Sequence, residues 1–323
     1  MIRFGNLAVL AALLAVYGAE ARTLRLAHGL NTEHPVHKGM VYMARRVEEI
    51  SDGKLKIKIY PSEQLGNEKE CIEALQLGYL AMTKTSSATM ELFVEDYCVL
   101  GVPYLFRDSE HFWKVAMGPI GKEILDSGIS KRLKGLCYYD AGARSFYARK
   151  PILSPADLCR DGKVLKVRVQ NSPMATEMVN VMGGAATPIP WGELYSALDQ
   201  GVVDAAENNP PSLYVSRHYE ICKYYCLDEH ARVPDILVIS SRVWNSLSGE
   251  EQKWLEQAAD ESVAHQKKLW AEFEEFSLKE VAKNGVEIIE VEKQPFIDSV
   301  KPIWEKYKDG RVGELIRRIV EVE

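Results

Sequence analysis

The sequence predicts an α/β fold in two lobes, tied together by one long helix. Three observations carry that expectation. Residues 23–85 read strand, helix, strand, helix, strand, the pattern of a parallel sheet with helices on its faces. A second strand–helix–strand unit occupies roughly residues 144–227. Past Ser248 a helical pattern runs to about Asn284, and after Gly249 no Pro or Gly interrupts it. At 1.5 Å per residue, ~35 residues span ~50 Å, which is wider than one lobe, so this helix is expected to brace both. Length and composition agree. The chain has 323 residues, 46% of them hydrophobic and 27% charged, and single cores stop growing near ~250 residues. The expected organisation is therefore a leader (1–21), a first lobe (22–143) and a second lobe (144–232). Residues 233–323 would supply a return strand, the bracing helix and C-terminal helices packing on both lobes.

Each element has a local signal. Residues 23–28 (TLRLAH) alternate apolar and polar as a strand does. His34-Pro35 marks a loop, 36–50 carries apolar residues at helical spacing, and Asp52-Gly53 closes it. Residues 54–60 (KLKIKIY) form a period-two strand ended by Pro61. A helix over 67–77 takes Gly78 as its C-cap, and 80–85 is a third strand. An apolar loop at 99–106 precedes a helix over 120–133 and strands at 135–139 and 144–148. Ser154-Pro155-Ala156-Asp157-Leu158 has the form of an N-cap turn. Next come a strand at 165–170, helices at 173–182 and 191–200, and a short strand at 202–206. Residues 234–240 (PDILVIS) are a strand, and Ser248 with Glu251 makes a capping box for the long helix. A last strand at 287–290 and two short helices close the chain.

The leader reads as an export signal. A basic start at Arg3 is followed by the apolar run 7–16 (LAVLAALLAV) and by Ala19-Glu20-Ala21, with cleavage expected between Ala21 and Arg22. As a membrane anchor the run is too short and lacks a basic stop-transfer flank. Export places the protein in the periplasm or at the cell surface, where disulfides persist. Of the six cysteines, Cys71, Cys98, Cys137, Cys159, Cys222 and Cys226, several are expected as small buried hydrophobes and at most one or two bridges are expected. Cys222-x-x-x-Cys226 is not a redox or zinc spacing. The net charge of -6 and the lack of a long basic run argue against a nucleic-acid partner. No His-Glu-x-x-His, Gly-x-Ser-x-Gly, P-loop or Gly-x-Gly-x-x-Gly is present, and His34-x-x-His37 lacks partner ligands nearby. No metal, cofactor or catalytic residue is expected.

Three segments have chemistry to explain. In 165–170, Leu165, Val167 and Val169 share one face while Lys166, Arg168 and Gln170 share the other. Strands inside α/β lobes are usually apolar on both faces, so a polar face borders solvent or a cleft; this segment alone suits either. Arg168 is the informative member, because its planar fork pairs with a carboxylate through two parallel hydrogen bonds. In 202–211 (VVDAAENNPP) an apolar strand runs into Glu207-Asn208-Asn209, and the prolines keep Asn209 extended at the strand's C-terminal end. Ligands bind there in open α/β sheets, though a bare turn has the same sequence. The third is Arg144, at the entry to a strand in Gly142-Ala143-Arg144-Ser145-Phe146.

These segments together resemble the solute receptors of tripartite ATP-independent periplasmic (TRAP) transporters, the DctP-type family. The resemblance rests on Gly142-Ala143-Arg144-Ser145-Phe146, Lys166-Val167-Arg168-Val169, the run 187–198 (TPIPWGELYSAL) and the run 201–208 (GVVDAAEN). Upstream, 64–70 (QLGNEKE) and 102–106 (VPYLF) also fit, so it covers almost the whole chain after the leader. It implies a two-lobed periplasmic binding protein fold with crossing strands, a long bracing helix and one ligand in the cleft. It further implies that Arg168 pairs with the ligand carboxylate, that Arg144 assists, and that Asn208 reaches the ligand from the second lobe. Ala205 stands where the family commonly has Gly.

The segment 208–220 resembles the sugar-acid branch, which implies a hexuronate such as glucuronate or galacturonate. Asn208, Asn209, Gln170 and Ser86 would supply neutral donors and acceptors for hydroxyls, His34 and Glu70 are candidates from the first lobe, and Trp191 is a candidate wall. The implied partners are the small acid and the permease subunits of a TRAP system. A C4-dicarboxylate would need a second cationic grip, and the 2-oxo acid alternative within the resembled family would bring in a metal. The rival from another class is an exported carbohydrate-active enzyme with a carboxylate pair such as Glu70 and Glu207, which glycosidase geometry would hold ~5–9.5 Å apart.

Overall fold

The structure, a computed structural model, describes residues 21–323, and the expected leader lies outside them except for Ala21. Strands β1 (Arg22–Ala27), β2 (Leu55–Tyr60), β3 (Met82–Ser86) and β4 (Leu133–Tyr139) begin one sheet. Strands β5 (Arg144–Ala148), β8 (Lys166–Val169), β9 (Ala185–Pro188), β10 (Ala205–Asn208) and β11 (Tyr224–Ala231) build a second, with β6 (Cys159–Arg160) and β7 (Lys163–Val164) as a small separate ribbon. The chain then returns to the first sheet with β12 (Asp235–Ser240) and to the second with β13 (Glu287–Glu290). The sheet orders are β2-β1-β3-β12-β4 and β13-β11-β5-β10-β8-β9. Within the first, β1 is parallel to β2 and β3 while β12 runs antiparallel to β3 and β4. The strands that carry the chain across, β4 into β5 and β11 into β12, leave short hinges at residues 140–143 and 232–234.

Helices α1 (Pro35–Ile50), α2 (Glu68–Leu77), α3 (Ser87–Met90), α4 (Ser109–Ala116) and α5 (Pro119–Ser127) accompany the first sheet, and α6 (Pro173–Val181), α7 (Leu194–Asp199) and α8 (Pro210–Val215) the second. α1 forms because Val36, Met40, Met43 and Val47 recur at helical spacing and are all fully buried. Each such side chain contributes ~1.5–3 kcal/mol on leaving water. α9 (Ser241–Trp244) leads into α10 (Gly249–Lys283), a single helix of 35 residues whose capping box joins Ser248 and Glu251. α10 packs on α1 on one side and on α8 on the other, so it braces both lobes.

The brace also grips the hinge. Gln266 of α10 accepts from the Asp140 N–H at 2.8 Å and donates to the Asp140 carbonyl at 2.9 Å. Two residues on, Gly142 has φ +59°, and a Cβ there would meet Glu274 of α10 at 2.6 Å. Glycine suits that left-handed turn, where a larger residue would be strained and would push the Glu274 carboxylate aside. α11 (Gln294–Ser299), α12 (Lys301–Lys306) and α13 (Gly310–Val320) follow, α12 against α6 and α13 against α5.

Several expectations need correction. The helix expected over 120–133 stops at Ser127, because Gly128 breaks it and Leu133 already belongs to β4. The strand expected at 202–206 lies at Ala205–Asn208, so Glu207 and Asn208 are inside the sheet. Polar residues are tolerated there because Arg144, beside them on β5, pairs with both. α4 and β11 were not expected, and three helices rather than two close the chain. All six cysteines are free; five are buried, and only Cys159 is exposed. No described helix is long and apolar enough to cross a membrane.

Candidate functional site

The lobes face each other across a cleft of about 670 Å³, open solvent at its mouth included. Its walls are the C-terminal ends of strands from both sheets: Ser86 ends β3, Gln170 follows β8 and Asn208 ends β10.

Arg168 sits at the centre of the second-lobe wall. β8 is flanked by β10 and β9, so it is no edge strand, and Arg168 is 2% exposed. Its Nε donates to the Ile189 carbonyl at 3.0 Å, and its guanidinium lies 5.7 Å from the centre of the Trp191 ring. Its Nη1 is buried with no partner among the described residues. Burial pushes the guanidinium pKa down, more than the field of Tyr147 and Glu207 restores. A buried cation whose fork faces a cavity unpaired is one that an incoming anion relieves.

Arg144, by contrast, is already paired. Its Nε and Nη2 hold the Glu207 carboxylate, Nη2 also reaches the Glu207 carbonyl at 2.8 Å, and Nη1 donates to Asn208 Oδ1 at 2.8 Å. His230 extends the network, with Nδ1 2.7 Å from Asp228 and Nε2 3.3 Å from Glu207. Burial opposes charge on His230, yet Asp228 and Glu207 outweigh it and raise the imidazole to about 9. Burial likewise favours a neutral Glu207, yet Arg144 and His230 hold its carboxyl at about 2. The consequence for the cavity lies in Asn208. Its Oδ1 takes both Arg144 Nη1 and the Asn209 N–H, so its Nδ2 donors are left for a ligand. Asn209 lines the cavity but is committed, donating from Nδ2 to Ala141 at 3.0 Å and capping α8 through the Ser212 N–H.

The first lobe contributes donors and acceptors without free charge. His34 caps α1 by accepting the Val36 N–H on Nδ1, which puts its proton on Nε2. His34 lines the cavity, its Nε2 is buried with no partner among the described residues, and burial aided by Lys84 holds the ring neutral. Ser86 Oγ donates across the cleft to Gln170 Oε1 at 3.4 Å. Lys84, Glu68 and Asp235 form a buried cluster that the sequence did not single out: Lys84 Nζ lies 3.1 Å from Glu68 and 3.0 Å from Asp235. Burial disfavours the Lys84 charge, but the two carboxylates raise its pKa overall. Lysine on a strand and glutamate in a first helical turn look like surface residues in a sequence; only the crossing of β12 beside β3 reveals the cluster.

Glu70 does not join this wall. It is exposed, and its carboxylate closes the α2 capping box by accepting the Asn67 N–H at 2.9 Å. Glu68, two residues earlier, takes the cavity position instead. The pairing of Glu70 with Glu207 fails on the same ground, since one is at the surface and the other is locked between Arg144 and His230.

Comparisons with known proteins bear on the family and the fold. The family described as bacterial extracellular solute-binding protein, family 7 (DctP), matches residues 26–309. A TRAP periplasmic solute-binding protein of Bradyrhizobium sp. BTAi1, solved in complex with α/β-D-galacturonate, is 42% identical, with a TM-score of 0.89 over 93% of this chain and 100% of that one. One from Pseudomonas putida F1 with bound D-glucuronate is 36% identical, with a TM-score of 0.89 over 93% and 97%. The 2,3-diketo-L-gulonate-binding periplasmic protein of Escherichia coli K12 is 30% identical over 87% of this chain and 85% of its own. The chain belongs to the DctP family of TRAP solute-binding proteins.

Proposed function

We propose that the protein is a periplasmic receptor that captures a hexuronate, such as galacturonate or glucuronate, and hands it unchanged to the membrane permease of a TRAP system. Export would use the leader at 1–21, cleaved between Ala21 and Arg22. The observation that carries this reading is the unpaired, buried fork of Arg168. A carboxylate held there through two charge-assisted hydrogen bonds gains ~3–6 kcal/mol, against the ~8 kcal/mol of a micromolar complex. Hydroxyl contacts supply the rest, with Asn208 Nδ2 and His34 Nε2 donating and Glu68 accepting. Gln170 and Ser86 flank the ring, Trp191 walls it, and Arg144 acts by orienting Asn208.

Charge pairing favours a monocarboxylate over a C4-dicarboxylate. Among the described residues, Lys84 and Arg144 at the cavity already hold carboxylates, and Arg168 holds none. Two carboxylates would compete for one free cation. Isothermal titration against uronates, aldonates, dicarboxylates and oxo acids tests this, with saturable heat expected from uronates. Silence with every carboxylate would defeat the proposal, and a product seen by mass spectrometry would replace receptor with enzyme.

A further inference from the structure

We infer that Glu63 is a latch between the lobes, which holds them shut and fixes Trp191 over Arg168; this rests on the cleft being the capture site proposed above. Glu63 lies in the loop after β2, on the first lobe, yet its Oε1 accepts the N–H of Gly192 in the second lobe at 3.2 Å. Gly192 is the neighbour of Trp191, so the bond anchors the turn that carries the ring. The carboxylate is seated between two glycines. A Cβ on Gly192 would meet Glu63 Oε2 at 2.3 Å, and one on Gly29, in its own lobe, would meet Oε1 at 3.3 Å. The loop is shaped for this role: Ser62 (φ +54°) and Glu63 (φ +57°) are successive non-glycine residues in the left-handed region. Such backbone persists only when its surroundings over-determine it. Here the Ser62 N–H donates to Leu30 at 3.0 Å and the Glu63 N–H to His28 at 3.1 Å, fixing the loop to the end of β1.

The geometry supplies its own control. Gly192 does not need positive φ, and the three atoms nearest its absent Cβ all belong to Glu63. Alanine at 192 therefore pushes the Glu63 carboxylate off its seat and breaks the bond to the Gly192 N–H, an effect that needs Glu63 to be present. D-galacturonate release is followed by stopped-flow tryptophan fluorescence in wild type, Glu63→Ala, Gly192→Ala and the double variant. Each single change is expected to speed release about tenfold, the equivalent of one charge-assisted hydrogen bond. The double variant is expected to match Glu63→Ala rather than to multiply the two effects. Unchanged release in both single variants, or multiplying effects in the double, overturns the latch. Should the wild type ignore galacturonate, the uronate reading fails on its own and amide hydrogen exchange of the ligand-free protein decides the latch. Slower exchange at Gly192 in the wild type than in Glu63→Ala supports it, and equal exchange overturns it.

Discussion

Replacing Arg168 by methionine should abolish binding and stabilise the ligand-free protein. The wild-type guanidinium is 2% exposed, with Nη1 unpaired among the described residues. An ion held so costs several kcal/mol of desolvation. Against this stand the Nε bond to Ile189, worth ~1.5–3 kcal/mol, and the contact with Trp191, ~1–2 kcal/mol. Desolvation is the larger side of this balance, and the lowered pKa of the guanidinium has the same cause. Because the folded pKa lies below the unfolded one for a base, the penalty is present wherever the group is charged. It is thus constant across the physiological range. Methionine, of similar volume and no charge, is expected to gain ~1–2 kcal/mol, or ~1.5–3 °C in a chain of this size. Calorimetry with and without saturating D-galacturonate reads both effects. The wild type should melt higher with ligand, and the variant should melt higher than wild type without it and ignore the ligand. A variant that melts lower when empty and still responds to the uronate would refute the reasoning.

Burial raises the Glu91 carboxyl to about 7, against the pull of its bonds to Ser172 and the Met174 N–H. A carboxyl with a raised folded pKa binds more protons folded than unfolded, so stability should fall as pH rises from about 4.5 to about 7. Glu91→Gln, whose amide oxygen can still accept from Met174, should flatten that slope in pH-dependent thermal melts. Glu70→Ala should leave uronate affinity unchanged and cost ~0.5–2 kcal/mol of stability through the lost α2 cap, seen by titration and denaturant unfolding. A thiol reagent should modify Cys159 alone in the native protein and all six cysteines after unfolding; fewer than six would reveal a bridge.

Local chemistry made much of this molecule legible. Ser248 and Glu251 start α10, and an uninterrupted pattern carries it to Lys283, because capping and helical periodicity act within a few residues. The alternation in 165–170 separated Arg168 from Val167 and Val169, but not edge strand from cleft wall, which depends on β9 and β10 arriving on either side. What the sequence hid depends on distant partners. Glu207 and Asn208 suited a bare turn as well as a ligand-presenting strand end, because their cation, Arg144, lies some sixty positions earlier. Lys84 and Glu68 meet Asp235 only after the chain has visited the second sheet and returned. β11 escaped notice because Asp228, Glu229 and His230 break its alternation, and their charges make sense only beside Glu207 and Lys293.

The most direct test of the Arg168 grip is a pair of titrations, D-galacturonate against D-galactose, which share a ring and differ chiefly in the carboxylate. Loss of two charge-assisted bonds predicts that the neutral sugar binds at least about a hundredfold more weakly. Equal affinity for the two sugars would show that the buried guanidinium is not what holds the ligand.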